Sequence, residues 1–86
     1  MSPSSETPVV LPAALHARPA GAVVRVASGF TATVEVRSGS RAASARSALR
    51  LMSLGAEAGS TVVVHAEGED ADAAAEAVAA VLRTAV

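Results

Sequence analysis

Apolar and polar residues alternate strictly from Phe30 to Arg37. Phe30, Ala32, Val34 and Val36 share one side and Thr31, Thr33, Glu35 and Arg37 the other, the pattern of a strand with one buried face. Thr61–Glu67 alternates in the same way, with Val62, Val64 and Ala66 on the apolar side. The period lengthens between Ala17 and Ser28. There Ala20, Val23, Val24 and Ala27 form an apolar stripe, Arg18, Gly21, Arg25 and Ser28 lie opposite, and Gly29 ends the predicted helix. Near the C-terminus Ala74, Val78 and Leu82 mark another stripe, with Asp70 as its expected N-cap. Asp72 and Glu76 then sit near the positive helix end and Arg83 near the negative one. Shorter elements complete the pattern: a strand over Thr7–Leu11 stopped by Pro12, a return strand over Arg41–Ala43 after the Ser38-Gly39-Ser40 turn, and a short helix capped by Ser47 that ends near Gly55.

The order is β-α-β-β-α-β-α. Hairpin-linked strands interleaved with helices predict an α/β (α+β) two-layer sandwich on an antiparallel sheet. Eighty-six residues are enough for one domain with one core, and residues 1–6 are expected to be loosely ordered. The composition says how that core must be filled: alanine and aliphatics dominate, Phe30 is the sole aromatic, and there is no cysteine for a disulfide or thiolate metal site. No basic run followed by an apolar stretch opens the chain, and no apolar run approaches a membrane span, so a cytoplasmic location without membrane insertion is expected.

A formal net charge of −1 argues against nucleic-acid binding by bulk attraction. The charges are nevertheless segregated. Six of the seven arginines lie between Arg18 and Arg50, and five of the eight acidic residues between Glu67 and Glu76. Such asymmetry points to a local basic site for an anionic ligand or partner.

The segment richest in chemistry is Leu15-His16-Ala17-Arg18-Pro19-Ala20. Pro19 suits the first helical turn, where its missing N–H has no partner to lose. His16 then falls at or next to the N-cap, beside the free N–H groups of Ala17 and Arg18 and an effective charge of about +0.5. Helix end, arginine and imidazole together make an anion site containing a nucleophile. A lone histidine at a helix start is ordinarily a solvated surface residue. Here its coincidence with Arg18, Pro19 and the basic residues Arg25 and Arg41–Arg50 favours a phosphate-handling site.

Leu15–Ala20 resembles the active-site signature of the HPr family, the phosphocarriers of the bacterial sugar phosphotransferase system. Gly29-Phe30-Thr31, Ala45-Arg46-Ser47, Met52-Ser53-Leu54-Gly55 and Ala66-Glu67-Gly68-Glu69-Asp70 are similar to further segments of that family, from about Val9 to Leu82. The resemblance implies an open-faced sandwich of four antiparallel strands under three helices. It also implies a carrier, not an enzyme: Nδ1 of His16 receives a phosphoryl group from Enzyme I, which draws it from phosphoenolpyruvate, and passes it to a sugar-specific Enzyme IIA. Arg18 would stabilise the phosphate. No cofactor or metal is implied, and a monomer is expected. Where the family often carries glycine, this chain has Ala14, which is tolerated unless the backbone needs a positive φ.

Ser47 matches a serine that a regulatory kinase modifies in some branches of the family, but a helix cap would be serine anyway, and Ala48-Leu49-Arg50 departs from the Ile-Met-Gly usual where that kinase acts, so the cap is the favoured reading. The short helix holds more apolar residues than one buried stripe can use. Leu51 and Leu54 are assigned to the core. Leu49 and Met52 are expected at the centre of a docking patch that also includes Ala17, Arg25, Ala48 and Arg50. His65 lies on the polar side of its strand, and with no carboxylate at ligand spacing it is expected to be solvated and not to bind zinc. Glu67–Asp70 lacks the alternating oxygen ligands of a calcium loop.

Other classes fit less well. A self-sufficient enzyme would need a second catalytic group in the His16 segment, and an RNA-binding sandwich would need exposed aromatics on its sheet. The nearest alternative is an HPr-like paralogue in a nitrogen-related or dihydroxyacetone-kinase phosphorelay.

Overall fold

A computed structural model describes residues 3–84. The elements follow the expected order: β1 (Ser4–Val10), α1 (Ala17–Ala27), β2 (Thr33–Ser38), β3 (Arg41–Ser44), α2 (Ala48–Ser53), β4 (Thr61–Glu67) and α3 (Ala71–Arg83). The strands form one antiparallel sheet in the order β1-β4-β2-β3. Strand alternation divides its faces. Val9, Val34, Val36, Val62, Val64 and Ala66 point into the core beneath the helices, while Glu6, Glu35, Arg37 and His65 stand on the uncovered face.

Small residues let the layers approach closely. α3 buries Ala71, Ala74, Ala75, Val78, Ala79 and Leu82 and packs on the sheet, with α1 beside it and α2 beside α1. α1 contributes Pro19, Ala20, Val23 and Ala27; Val24, expected in the same stripe, is half-buried at its margin. The largest fully buried side chains are all leucine or valine, and Phe30 packs against the core from a half-buried position.

Three expectations need correction. The first strand does not begin at Thr7: Ser4, Ser5 and Glu6 pair with Glu67, Ala66 and His65, and Pro3 O accepts from Gly68 N at 2.9 Å. Of the segment expected to be loose, only Met1 and Ser2 lie outside the described residues. β1 tolerates Pro8 because it is an edge strand with one neighbour. Second, β2 begins at Thr33 and not Phe30, because the Thr31 and Ala32 N–H groups donate to the Asp70 carboxylate at 2.9 and 2.7 Å instead of to a strand. For the same reason Asp70 occupies the N-cap position of α3 without a side-chain capping bond.

Gly68 makes this junction possible. Its φ is +137°, and a Cβ there would lie 2.9 Å from Ala32 Cα, so both conformation and space demand glycine. By contrast, no non-glycine residue among those described has a positive φ. Alanine at position 14 is therefore compatible with the loop that leads to His16.

Candidate functional site

The loop before α1 is held from below and open above. Leu15 is buried, and its N–H donates to Ala56 O at 3.0 Å, tying the loop to the segment after α2. The His16 N–H turns back to Ala14 O at 2.9 Å. This tight turn carries the chain out of the core, so that His16 emerges exposed next to a buried leucine.

His16 is the N-cap of α1, with φ −85° and ψ −170°. Its carbonyl accepts from Ala20 N at 3.0 Å, as an N-cap carbonyl should. Its side chain makes no capping bond, and the first turn contains no acidic residue. Among the described residues, neither Ala17 N–H nor Arg18 N–H has a recorded acceptor, and Pro19 has no N–H to offer. Two donors and the positive helix end thus remain available to an anion beside the imidazole.

Arg18 is exposed on the first turn and Arg25 on the last, where it also complements the negative helix end. Among the described residues no ion pair engages Arg18, Arg25 or Arg50. Arg46 is anchored, with Nη2 donating to Phe30 O at 2.8 Å. The basic front of the chain is therefore largely unneutralised.

α2 packs against α1. Ser47 caps it, its Oγ accepting from Arg50 N at 3.2 Å. Leu51 and Leu54 are buried as expected, whereas Leu49 is 75% exposed and Met52 37%. Ala17 and Arg50 are also exposed; Ala48 is half-buried against the core and offers less surface than expected of a docking residue.

His65 departs from expectation. Its side chain is only 14% exposed and lies between two carboxylates, with Glu6 Oε2 and Glu67 Oε1 each 3.0 Å from a ring nitrogen. The Glu6 partner was missed because a strand starting at Thr7 leaves Glu6 outside the sheet; extending the pairing back to Ser4 places it directly opposite His65. Among the described residues no cluster of three or more histidine, cysteine or acidic side chains is arranged to hold a metal.

Known proteins are similar to this chain in sequence and in fold. The family described as "PTS HPr component phosphorylation site" matches residues 3–84. The phosphocarrier protein HPr of Lysinibacillus sphaericus is 42% identical over 74 residues, 86% of this chain and 84% of that one. A multiphosphoryl transfer protein of Xanthomonas campestris pv. campestris is 42% identical over 77 residues, which cover 90% of this chain but 9% of that protein. The crystal structure of an HPr from Bacillus anthracis str. Ames superposes with a TM-score of 0.83 at 33% identity, covering 92% of this chain and 96% of its own.

Proposed function

The chain belongs to the HPr family of phosphotransferase-system phosphocarriers, and on that premise we propose that His16 is the residue it loads. It is a carrier and not an enzyme, so the chemistry is completed by the proteins that dock on it. In the proposed step, the Nδ1 lone pair of a neutral His16 attacks phosphorus on the donor. A P–N bond forms, the bond from phosphorus to the donor breaks, and the donor keeps that electron pair. Transfer onward repeats the exchange with the acceptor as nucleophile.

The observation that carries this reading is the uncapped start of α1, where an exposed imidazole stands at the N-cap beside two free backbone donors. Those donors and Arg18 hold the phosphoryl oxygens by charge-assisted hydrogen bonds. Phosphotransferase-system proteins are the partners the family implies; we assign Enzyme I as donor and Enzyme IIA as acceptor, both in the cytoplasm, with the chain acting as a monomer. Exposed Leu49 and Met52 supply the apolar centre of the docking surface, with Ala17, Arg25, Arg50 and the edge of Ala48 around it. Among the described residues no helix is long and apolar enough to cross a membrane. Ser47 serves α2 as a cap; phosphate on its Oγ would add roughly two negative charges beside the docking patch, which makes it the regulatory candidate.

The test is incubation with Enzyme I and phosphoenolpyruvate followed by intact mass measurement. One added phosphate is expected, acid-labile and alkali-stable. His16→Ala should abolish it and His65→Ala should retain it. An acid-stable label, or full labelling of His16→Ala, overturns the assignment.

A further inference from the structure

The sheet face that no helix among the described residues covers carries a charged cluster centred on His65. Strand register places Glu6 of β1 on one side of His65 and Glu35 of β2 on the other. Nδ1 lies 3.0 Å from Glu6 Oε2, and Nε2 lies 3.0 Å from Glu67 Oε1 on the same strand. Arg37 of β2 reaches the same Glu6 oxygen at 3.2 Å and Glu35 Oε1 at 3.1 Å. The charged groups facing His65 are therefore Glu6 from β1, Glu35 and Arg37 from β2, and Glu67 from β4. On this face β3 sets only Ala42 and Ser44 against β2.

A neutral imidazole has one N–H donor and one acceptor nitrogen, while an ionised carboxylate can only accept. Carboxylate oxygens at hydrogen-bond distance from both ring nitrogens thus require the imidazolium. We propose that His65 is a proton-gated clamp on the edge strand: protonated, it bonds Glu6 of β1 and Glu67 of β4 together, and deprotonated, it must release one of them. Among the described residues β1 has no neighbour on its other side, so the bond to Glu6 is one of the few side-chain ties holding its first half. Release frees Glu6 to the Arg37 guanidinium alone.

The surrounding charges act in the required direction. Glu67 first, and Glu6 after it, raise the His65 pKa above 6.5; partial desolvation and the Arg37 charge oppose them without prevailing. Because the folded value lies above the unfolded one, the stabilisation is complete below pH about 6.5 and is lost as pH rises through the folded value. The gate therefore opens above pH about 6.5, as pH rises through that raised value. It sits on the opposite face of the sheet from the helices, one of which carries His16, so strand release and phosphoryl loading should be separable.

Histidine NMR titration of the full chain tests the clamp. The His65 ring should titrate with a midpoint above 6.5, with both ring nitrogens protonated at pH 6. Amide exchange at residues 4–7 should rise, beyond its ordinary base catalysis, across the same midpoint. Glu6→Gln should lower that midpoint, and His65→Gln should remove the pH step in exchange. A His65 midpoint at or below 6.5, or one unmoved by Glu6→Gln, overturns the proposal. So does exchange at residues 4–7 that shows the same step in His65→Gln. If His65→Gln does not fold, Glu6→Gln and the wild-type midpoint decide the matter by themselves.

Discussion

Asp70 shows how one side chain can serve two elements. Standing at the start of α3, it spends both carboxylate oxygens on the Thr31 and Ala32 N–H groups at the head of β2. The Thr31 N–H is the main reason its carboxyl is held below the usual carboxylate range, with the Ala32 N–H adding to it and partial desolvation opposing. A depressed folded value means stability that is present above the unfolded pKa of about 3.9 and lost as pH falls through the folded value. Asp70→Ala should lower the thermal midpoint at pH 7 and flatten the acid side of the stability profile, as followed by far-UV circular dichroism. An unchanged acid limb would show that the two bonds contribute nothing. Sequence pattern marks Asp70 as a helix cap because nothing local distinguishes a cap from a tether to residues 39 and 38 positions away. The place of His16 at the start of α1 was legible for the opposite reason: the helix end, Pro19 and Arg18 are all within three positions of it.

At the scale of elements, the division of α2 was legible because a six-residue helix and its C-cap Leu54 cannot bury all five apolar side chains from Ala48 to Leu54, and the structure divides them as periodicity requires. Leu51 is buried and Leu49 exposed, so substitutions two positions apart should have different consequences. Leu51→Ala should cost about 2–5 kcal/mol of stability in a denaturant titration. Leu49→Glu should leave the fold intact and weaken phosphoryl exchange with Enzyme I and Enzyme IIA alike, by roughly 1–3 kcal/mol. Unfolding of Leu49→Glu, or normal exchange with both partners, would place the docking surface elsewhere. β1 was less legible. Its first half, Ser4-Ser5-Glu6, carries no apolar alternation; pairing with β4 makes it a strand, and pairing across the sheet is a tertiary fact.

For the whole molecule, segregated charge is the feature with the widest reach. Arg18, Arg25 and Arg50, which no ion pair engages among the described residues, belong to the proposed site and docking surface, whereas Glu67, Asp70 and Asp72 of the acidic run serve the His65 cluster, the Thr31–Ala32 tether and the first turn of α3. Arg25→Glu and Arg50→Glu should act mainly on association rate, and their effect should fade as salt shortens the screening length from about 10 Å toward 3 Å. Stopped-flow measurement of the association rate checks this, and Glu76→Lys should change little in it. The sheet and helices are held close by alanine, with Ala74, Ala75 and Ala79 fully buried. Ala75→Leu should therefore destabilise by about 1–3 kcal/mol through overpacking.

That alanine-rich packing also leaves the protein nearly transparent to near-ultraviolet light. With no tryptophan or tyrosine and one phenylalanine, folding and docking are both invisible to intrinsic fluorescence. The deficit becomes an advantage once a single indole is introduced. Leu49→Trp, at a site 75% exposed and outside the core, would report on its own surroundings without background. Its emission should shift to the blue when a partner covers α2 and remain unchanged by the protonation of His65 on the far side of the sheet.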